Sequence, residues 1–540
     1  MTGLPTPNTA WPPAPHDQVV ASCAERQVWW EGDPEKLGAF YARGNTAGIS
    51  PSGVRQRVRG AIDGFWGRTR PAMNAPKRLH VPVAADIGRI AASTLFSEPV
   101  TFSDPAGDQA VQDTIDAILN TDETYSGMLV GAESASMLSG VYGRIVWDKN
   151  VSDHTWIDWV DADRAIPTFT WGRLSAVTFW TELDSDDDAV WRHVEHYSTV
   201  GKAGRIDHAL YRGKRDNIGQ VEPLTEHPDT ASLAVNLDQD SGYTVPSDSG
   251  ILAGYMPNWR PNPQWRGVPE LKHLGRADLT RDVIHLLDAC DEAWSSLIRD
   301  LDLGRGRMFI SDTLLTSNGP GKGSTFDLDQ AIFSPVGTAV KGSETSSLLE
   351  AQQFDIRVEE HLQIFDGLLR RAISRAGYSP ITFGLQDEVA ATATEVSAKE
   401  RDTNSTRSAK TKLWGLSQLA TTQLHVESAI FGTKAPSEPI QVDWPDTHQE
   451  SSKQRAETVE LLMRAEAASI ETRVRMVNPD WDDKQILEEV DKIVNDRGPV
   501  EVAFPGESDD PSNFGGGEAT EETPADEADG EQPDSNPFAP

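Results

Sequence analysis

The sequence predicts an α+β fold made of several parts. Three observations predict it. Apolar residues recur at helical steps of three and four in several stretches, most extensively over roughly 269–302 and 346–376. Residues 141–260 instead alternate in strand fashion and are rich in Val, Trp, Tyr and Thr. The 540 residues also exceed what one core holds, since domains run to ~100–200 residues.

The elements follow in order. The first 15 residues are Pro-rich and read as extended; 17–42 reads as one helix ending near Gly44. Arg55, Arg57, Arg59, Arg68 and Arg70 form a short basic stretch around Phe65 and Trp66, suited to nucleic acid or to an ordinary interface. Residues 80–96 carry Val83, Ile87, Ile90, Ala91 and Leu95 on one helical face, and Ser97-Glu98-Pro99 stops that helix before a strand at 100–102. Helices are predicted at 108–119 and 124–140, the second crowded with small residues (Gly127, Gly131, Ala132, Ser134, Ala135, Ser136) that imply close packing. The strand-like segments 142–147, 156–160, 176–183, 191–199 and 205–212 make an antiparallel region.

A long helix is predicted over 269–302, with Leu279, Val283, Leu286, Cys290, Trp294, Leu297 and Leu301 on its apolar stripe. Asp278, Asp282, His285 and Asp288 take its other faces. Gly304-Arg305-Gly306 ends it, a strand follows at 307–311, and a Gly/Ser-rich loop fills 316–325. A second long helix, 346–376, aligns Leu349, Phe354, Val358, Leu362, Phe365, Leu369 and Ile373. Gly377-Tyr378-Ser379-Pro380 closes it, and a loop leads to a third helix at 392–431. The first half of that helix is polar nearly all round, as expected of a helix that bridges, meets another subunit or lines water. Thr447 and Glu450 fit a capping box for a helix to about 474, and Asn478-Pro479 opens a last one to about 495.

The charge is −35, from 84 acidic and 49 basic residues, which argues against a protein that coats DNA or phospholipid. Residues 501–540 hold 12 acidic side chains and no Lys or Arg, leaving −35 + 12 = −23 on the rest. With almost no aliphatics, this segment reads as a disordered acidic tail. Two cysteines, Cys23 and Cys290, without a CxxC, make a zinc knuckle, an iron–sulfur site or a disulfide framework unexpected. No signal-peptide pattern and no apolar run near ~18 residues is found, so the chain is expected to fold in a reducing cytoplasm without a membrane span.

Motifs that mimic chemistry read as structure. NGPGKGST (318–325) lacks the Gly-Lys-Ser/Thr and the helix of a phosphate-binding loop. His193-x-Glu195-His196 places 193 and 195 on one strand face with 196 pointing away, and reads as a polar face. DSDDD (184–188) lacks the Gly and Glu of a calcium loop. Cys290 reads as a small core residue, and no Gly-x-Ser-x-Gly elbow occurs. No catalytic residue, metal ligand or cofactor site is assigned.

The order of parts resembles the portal proteins of tailed bacteriophages, of the long-tailed siphovirus type. The resemblance rests on HVPVAADIGRIAASTLFSEPVTF (80–102), AWSSLIRD (293–300) leading to GRMFI (306–310), GYSPITFG (377–384) and TATEV (392–396), and covers about 20–497. It implies a ring, usually of twelve subunits, at one capsid vertex, assembled in the host cytoplasm and retained in the virion. It maps 1–266 to a wing, 267–303 and 346–377 to two stem helices, and 304–345 to a clip. A tunnel loop at 378–391, a tunnel/wing helix at 392–444, a crown at 445–498 and an added acidic tail at 499–540 complete the map. Double-stranded DNA would pass through the channel. Partners would be the large terminase, capsid and scaffolding proteins, and a head-completion or adaptor protein.

No covalent chemistry is expected. DNA carries one charge per ~1.7 Å of axis, so a strongly basic wall would hold it, whereas a conduit should let it slide. Lys399, Arg401 and Arg407 are candidate guides for phosphates; Gln386, Asp387 and Glu388 are candidate gate residues; Arg305, Arg307 and Lys322 are candidates for partner docking. The alternatives are a terminase-like packaging nuclease/ATPase, which needs a phosphate loop and clustered acidic ligands, and a structural head protein without a channel.

Overall fold

The computed structural model describes residues 3–46, 79–184, 189–233, 237, 242–245, 248–303, 307–310, 316–317, 324–325, 349–352, 357–385, 400–445, 452–465, 467–478, 481 and 483–496. The basic stretch at 55–70 and the acidic tail lie outside them. The chain divides into a unit at Met1–Thr447 and a second at His448–Pro540.

The first unit opens with α1 (His16–Glu31) and α2 (Pro34–Thr46), where one helix is expected. Gly32 adopts φ 68 and returns its N–H to Val28 O, and the Asp33 carboxylate then accepts from Glu35 N at 2.8 Å ahead of Pro34. A left-handed stop followed at once by a capping residue resets the helix. Helix α3 (Val83–Leu95) buries Val83, Ile87, Ala91 and Leu95, four of the residues that predict it. Strand β1 (Thr101–Ser103) leads to α4 (Gln109–Ile118) and α5 (Asp122–Leu138), capped by Asp108 and Thr121. The small residues of α5 serve as expected: a Cβ on Gly131 would sit 3.1 Å from the Trp159 ring, so the indole lies directly on the helix backbone.

The β region divides into two antiparallel sheets. Strands β2 (Gly140–Val146) and β3 (Trp156–Asp161) pair with each other, and β10 (Ala253–Pro257) flanks β2. A six-stranded sheet runs β4 (Ala165–Thr170), β5 (Arg173–Leu183), β6 (Val190–Val200), β7 (Ala203–Lys214) and β8 (Asn217–Glu222), with β9 (Gly242–Thr244) also on β7. The Pro-rich opening packs against this sheet. Asn8 N donates to Gly219 O at 2.7 Å, and Trp11 meets Trp180 edge-on at 5.2 Å over a small core of Val194, Ala209, Tyr211 and Ile218.

The first long helix, α6 (Arg281–Leu303), starts later than 269. The backbone before it is drawn into other bonds: Arg276 N donates to Trp259 O and Asp278 N to Ser136 O, both at 2.9 Å. Leu279 is buried as its periodicity implied, but outside the helix. Cys290 is buried on α6, as expected. Strand β11 (Arg307–Ile310) pairs antiparallel with β14 (Leu349–Gln352), and β12 (Thr316–Ser317) with β13 (Ser324–Thr325). The expected helix from 346 is therefore a strand at its start, and α7 begins at Val358 and ends at Ala376. Helices α6 and α7 run antiparallel: His361 Nε2 lies 2.9 Å from Asp300 Oδ2, Trp294 faces Phe365, and Arg375 reaches Asp282 at 2.6 Å.

The expected third helix is two, α8 (Arg401–Thr411) and α9 (Leu416–Phe431). At the break, Trp414 is buried against Phe96 at 5.1 Å and near Trp159 at 5.7 Å, and Gly415 follows it. Strand β15 (Gln441–Asp443) returns to pair with β1.

The second unit contains α10 (Ser452–Arg464), α11 (Ile470–Val477) and α12 (Asp483–Asp496) among its described residues. A helix pair is expected there. Ser469 caps α11 by accepting from Thr472 N at 3.1 Å, which splits the first of them. Thr447, Glu450 and Pro479 lie outside the described residues.

Candidate functional site

The polar stretch that contains helix α8 was expected to bridge, to meet another subunit or to line water; residues 392–399 of it lie outside the described residues, and the described part has one face packed inside. Thr403, Thr406, Arg407 and Lys410 recur at helical spacing and are all buried, so the packed face of this helix is itself polar. A polar face can be buried only if its groups find partners, and these do.

Thr403 Oγ1 accepts from Ser379 N at 2.9 Å, and Thr406 Oγ1 donates to Gly377 O at 2.5 Å. Both tie α8 to the end of α7, where Gly377 turns the chain at φ 102. Arg407 Nε donates to Thr94 O at 3.0 Å, and its terminal nitrogen to Pro445 O at 2.6 Å, which secures α8 to the end of α3 and to the segment after β15.

Lys410 enters the densest part. Its Nζ lies 2.5 Å from Asp278 Oδ2 and 2.8 Å from the Tyr378 hydroxyl. Asp278 also accepts from Ser136 Oγ at 2.7 Å, Tyr378 OH at 2.9 Å and Asn258 Nδ2 at 2.8 Å. Burial pushes the Lys410 amine below its ordinary range, with Asp278 opposing that shift. Burial, reinforced by Asp278, pushes the Tyr378 phenol well up, so it stays a donor. This node joins α5, the residue after β10, the segment leading into α6, the end of α7 and α8. It therefore fixes where the two long antiparallel helices leave the body of the unit. A second anchor holds α6 itself: Asp291, buried, meets His80 Nδ1 at 2.7 Å and Val81 N at 2.9 Å.

Sequence-predicted residues fall variously. Arg401 is exposed at the start of α8. Arg407 is 7% exposed, with its guanidinium turned into the interior. Arg307 lies in β11. Gln386, Asp387, Glu388, Lys399, Arg305 and Lys322 lie outside the described residues. Asp278, expected on an outer face, is at the centre of the node. Sequence reading missed the node's members as partners. The one available signal was the 403, 406, 407, 410 spacing, which is a helical stripe written in polar residues.

Among the described residues one group of His, Cys, Asp and Glu could hold a metal ion: His193, Glu195 and His208. Also among the described residues, no helix is long and apolar enough to cross a membrane.

In chain order, an α/β body, two antiparallel helices with paired strands at one end, and a polar helix locked back onto that body define a phage portal- or connector-like protein. The profile of the family described as "Phage portal protein, SPP1 Gp6-like" matches residues 54–497, and the protein belongs to that family. Among solved structures, a chain of "Neck of empty GTA particle computed with C6 symmetry" is 15% identical, covering 81% of this chain and 97% of its own, at a TM-score of 0.38. A chain of "Neck of native GTA particle computed with C12 symmetry" is 14% identical, covering 82% and 98%, at 0.36. No curated protein matches.

Proposed function

We propose that this protein is the subunit of a portal ring at one capsid vertex, through which double-stranded DNA is packaged and later ejected. The observation that carries this reading is the family match, which runs from residue 54 to 497 and so spans both antiparallel helices α6 and α7. In this reading α6 and α7 are the stem, residues 304–345 the clip, 1–266 the wing, 378–391 the tunnel loop, 392–444 the tunnel/wing helix and 445–498 the crown. The clip would dock the large terminase during packaging and a head-completion or adaptor protein afterwards, with Arg305, Arg307 and Lys322 as docking residues. The ring would have twelve subunits, form in the host cytoplasm with capsid and scaffolding proteins, and remain in the virion.

The ring acts as conduit and valve, without covalent chemistry. Lys399 and the exposed Arg401 guide phosphates, and Gln386, Asp387 and Glu388 line the gate. Arg407 contributes by holding α8 in place. The bonds of Thr403 and Thr406 support this role physically: a loop that faces moving DNA needs a rigid base, and Thr403 and Thr406 tie the first half of α8 to the end of α7 on either side of residues 386–399.

Electron microscopy of the purified protein tests the reading. Rings with a central hole are expected. A strictly monomeric protein under capsid-assembly conditions, or closed particles without a hole, refutes the channel; ATP hydrolysis by the purified chain would return the packaging enzyme to first place.

A further inference from the structure

We propose that His193, Glu195 and His208 bind a divalent transition ion of zinc's class on the six-stranded sheet. Sequence spacing alone pairs His193 and Glu195 on one face of β6 and sends His196 to the other, where it meets Thr178 Oγ1 at 2.9 Å. Two potential ligands do not make a site. The third comes from the neighbouring strand. The β6–β7 hairpin closes at Val200 opposite Ala203, and that register sets Glu195 directly opposite His208, with His193 on the diagonal.

The distances fit one small ion. His193 Nε2 lies 3.1 Å from His208 Nδ1, and His208 Nδ1 lies 3.6 Å from Glu195 Oε1. All three donor atoms fall within 4.8 Å of one another. Tetrahedral ligands at the ~2.0–2.1 Å bond lengths of zinc stand about 3.3 Å apart, between the two measured separations. Two imidazoles and one carboxylate are a nitrogen-rich set, which selects zinc, cobalt or nickel over calcium and magnesium, whose sites need six or more oxygens. Three protein ligands leave a fourth position for water.

The surroundings prepare the ligands. Arg144 of β2 holds Glu195 Oε2 and also meets Asp158 of β3 at 2.8 Å, so it orients the carboxylate and leaves Oε1 for the ion. Arg144 does not make the site cationic, because Asp158 and Glu195 leave the three groups at a net −1. Burial, joined by His208 and Arg144 and opposed by Glu195, lowers the His193 imidazole to about 4. Burial lowers His208 also, against Glu195. Burial alone would raise the Glu195 carboxyl, but Arg144, His193 and His208 together hold it below its ordinary value. These directions favour neutral imidazoles and an ionised carboxylate, the forms that ligate metal.

Without an ion the two imidazole nitrogens share a hydrogen bond, their rings only 5° from parallel. On binding, the donating imidazole moves to the tautomer that carries its proton on the other ring nitrogen, the ion takes the position of the shared hydrogen, and the rings turn about χ2, a soft torsion in histidine, to aim both lone pairs at it. Once bound, the ion clamps β6 to β7 and, through Arg144, the six-stranded sheet to the three-stranded one.

The test uses the full chain, stripped with a chelator, and zinc or cobalt chloride. Calorimetry should give one saturable zinc per chain. Cobalt should give the intense visible bands of a four-coordinate site with nitrogen ligands. Glu195→Gln, which preserves side-chain shape, and His208→Asn, which keeps a polar atom near the Nδ1 position without an imidazole lone pair, should each weaken zinc binding at least about 100-fold while circular dichroism stays unchanged. The proposal is overturned if the folded wild type binds no stoichiometric zinc or if both variants bind as wild type. It is equally overturned if cobalt gives only the weak six-coordinate spectrum that carboxylates of residues 501–540 would produce.

Discussion

Replacing Lys410 with Met removes the ammonium from the buried node while keeping most of the side chain's volume. Lys410 is 3% exposed and the side chain of its partner Asp278 is fully buried. Breaking a buried ion pair from one side costs roughly 3–5 kcal/mol, because the remaining charge is left uncompensated. Here Asp278 still accepts from Ser136, Asn258 and Tyr378, so the loss should sit at the lower end, about 3 kcal/mol. Adding Asp278→Asn removes the stranded charge. The new amide oxygen can still accept from Asn258, and its NH2 can donate to Ser136 and Tyr378. The double variant should therefore recover to within about 1 kcal/mol of wild type, with a coupling energy of at least about 2 kcal/mol. Urea unfolding of the unassembled chain, followed in parallel by tryptophan fluorescence and near-ultraviolet circular dichroism, measures all four corners of this cycle. A Lys410→Met loss below about 1 kcal/mol, or additive single effects, would refute the node as an energetic unit.

Three further outcomes are expected. Arg407→Met should cost about 2–3 kcal/mol in the same assay, since it orphans the carbonyls of Thr94 and Pro445; Arg407→Lys should recover only part, having no planar fork to span both. Gly219→Ala should destabilise the β7–β8 hairpin by about 2–4 kcal/mol, because Gly219 sits at φ 82 and a Cβ there would collide with the Arg212 carbonyl oxygen; a thermal melt within a degree of wild type contradicts this. Burial holds the His16 imidazole below its ordinary 6.5, against the pull of Glu270 and Asp17. The unfolded chain then takes up a proton that the folded chain refuses, so stability falls as pH drops below 6.5; His16→Gln should flatten that limb of a urea-midpoint profile, and an unaltered limb assigns the effect to other groups.

Apolar periodicity located α3, α4, α5 and the bodies of α6 and α7, although the α7 stripe is buried only near Ile373 and leaves Val358 and Leu362 exposed. It misjudged their starts. Leu279 and Leu349 continue the helical spacing, yet the first belongs to a segment bonded to Ser136 and Trp259, and the second to a strand paired with β11. Long-range backbone partners override local pattern there, and no window of sequence contains them. The polar face of α8 failed for a different reason. Hydrophobicity cannot separate a polar residue in water from one whose hydrogen bonds are made inside, and Asp278 and Arg407 were both assigned outward on that ground. His208 was hidden in a simpler way: its partners lie one strand over, and only the hairpin register brings it opposite Glu195.

The antiparallel ribbon of β1 and β15 matters for the order in which this chain can become itself. Thr101 pairs with Asp443, and the other late contacts span similar distances: Arg407 to Thr94 across 313 positions, and Glu427 to Thr155 across 272. A ribosome releases the early strands and helices long before their partners exist. Until residues 407–444 have emerged, the α3 terminus and the segment before β3 remain uncapped, with Phe96 lacking the tryptophans at 414 and 444 that cover it. Closing such distant contacts is slow, and the waiting intermediate is sticky. Emergence of residues 407–444 thus acts as a checkpoint: the early helices and strands acquire their finished surface only when these distant partners join them.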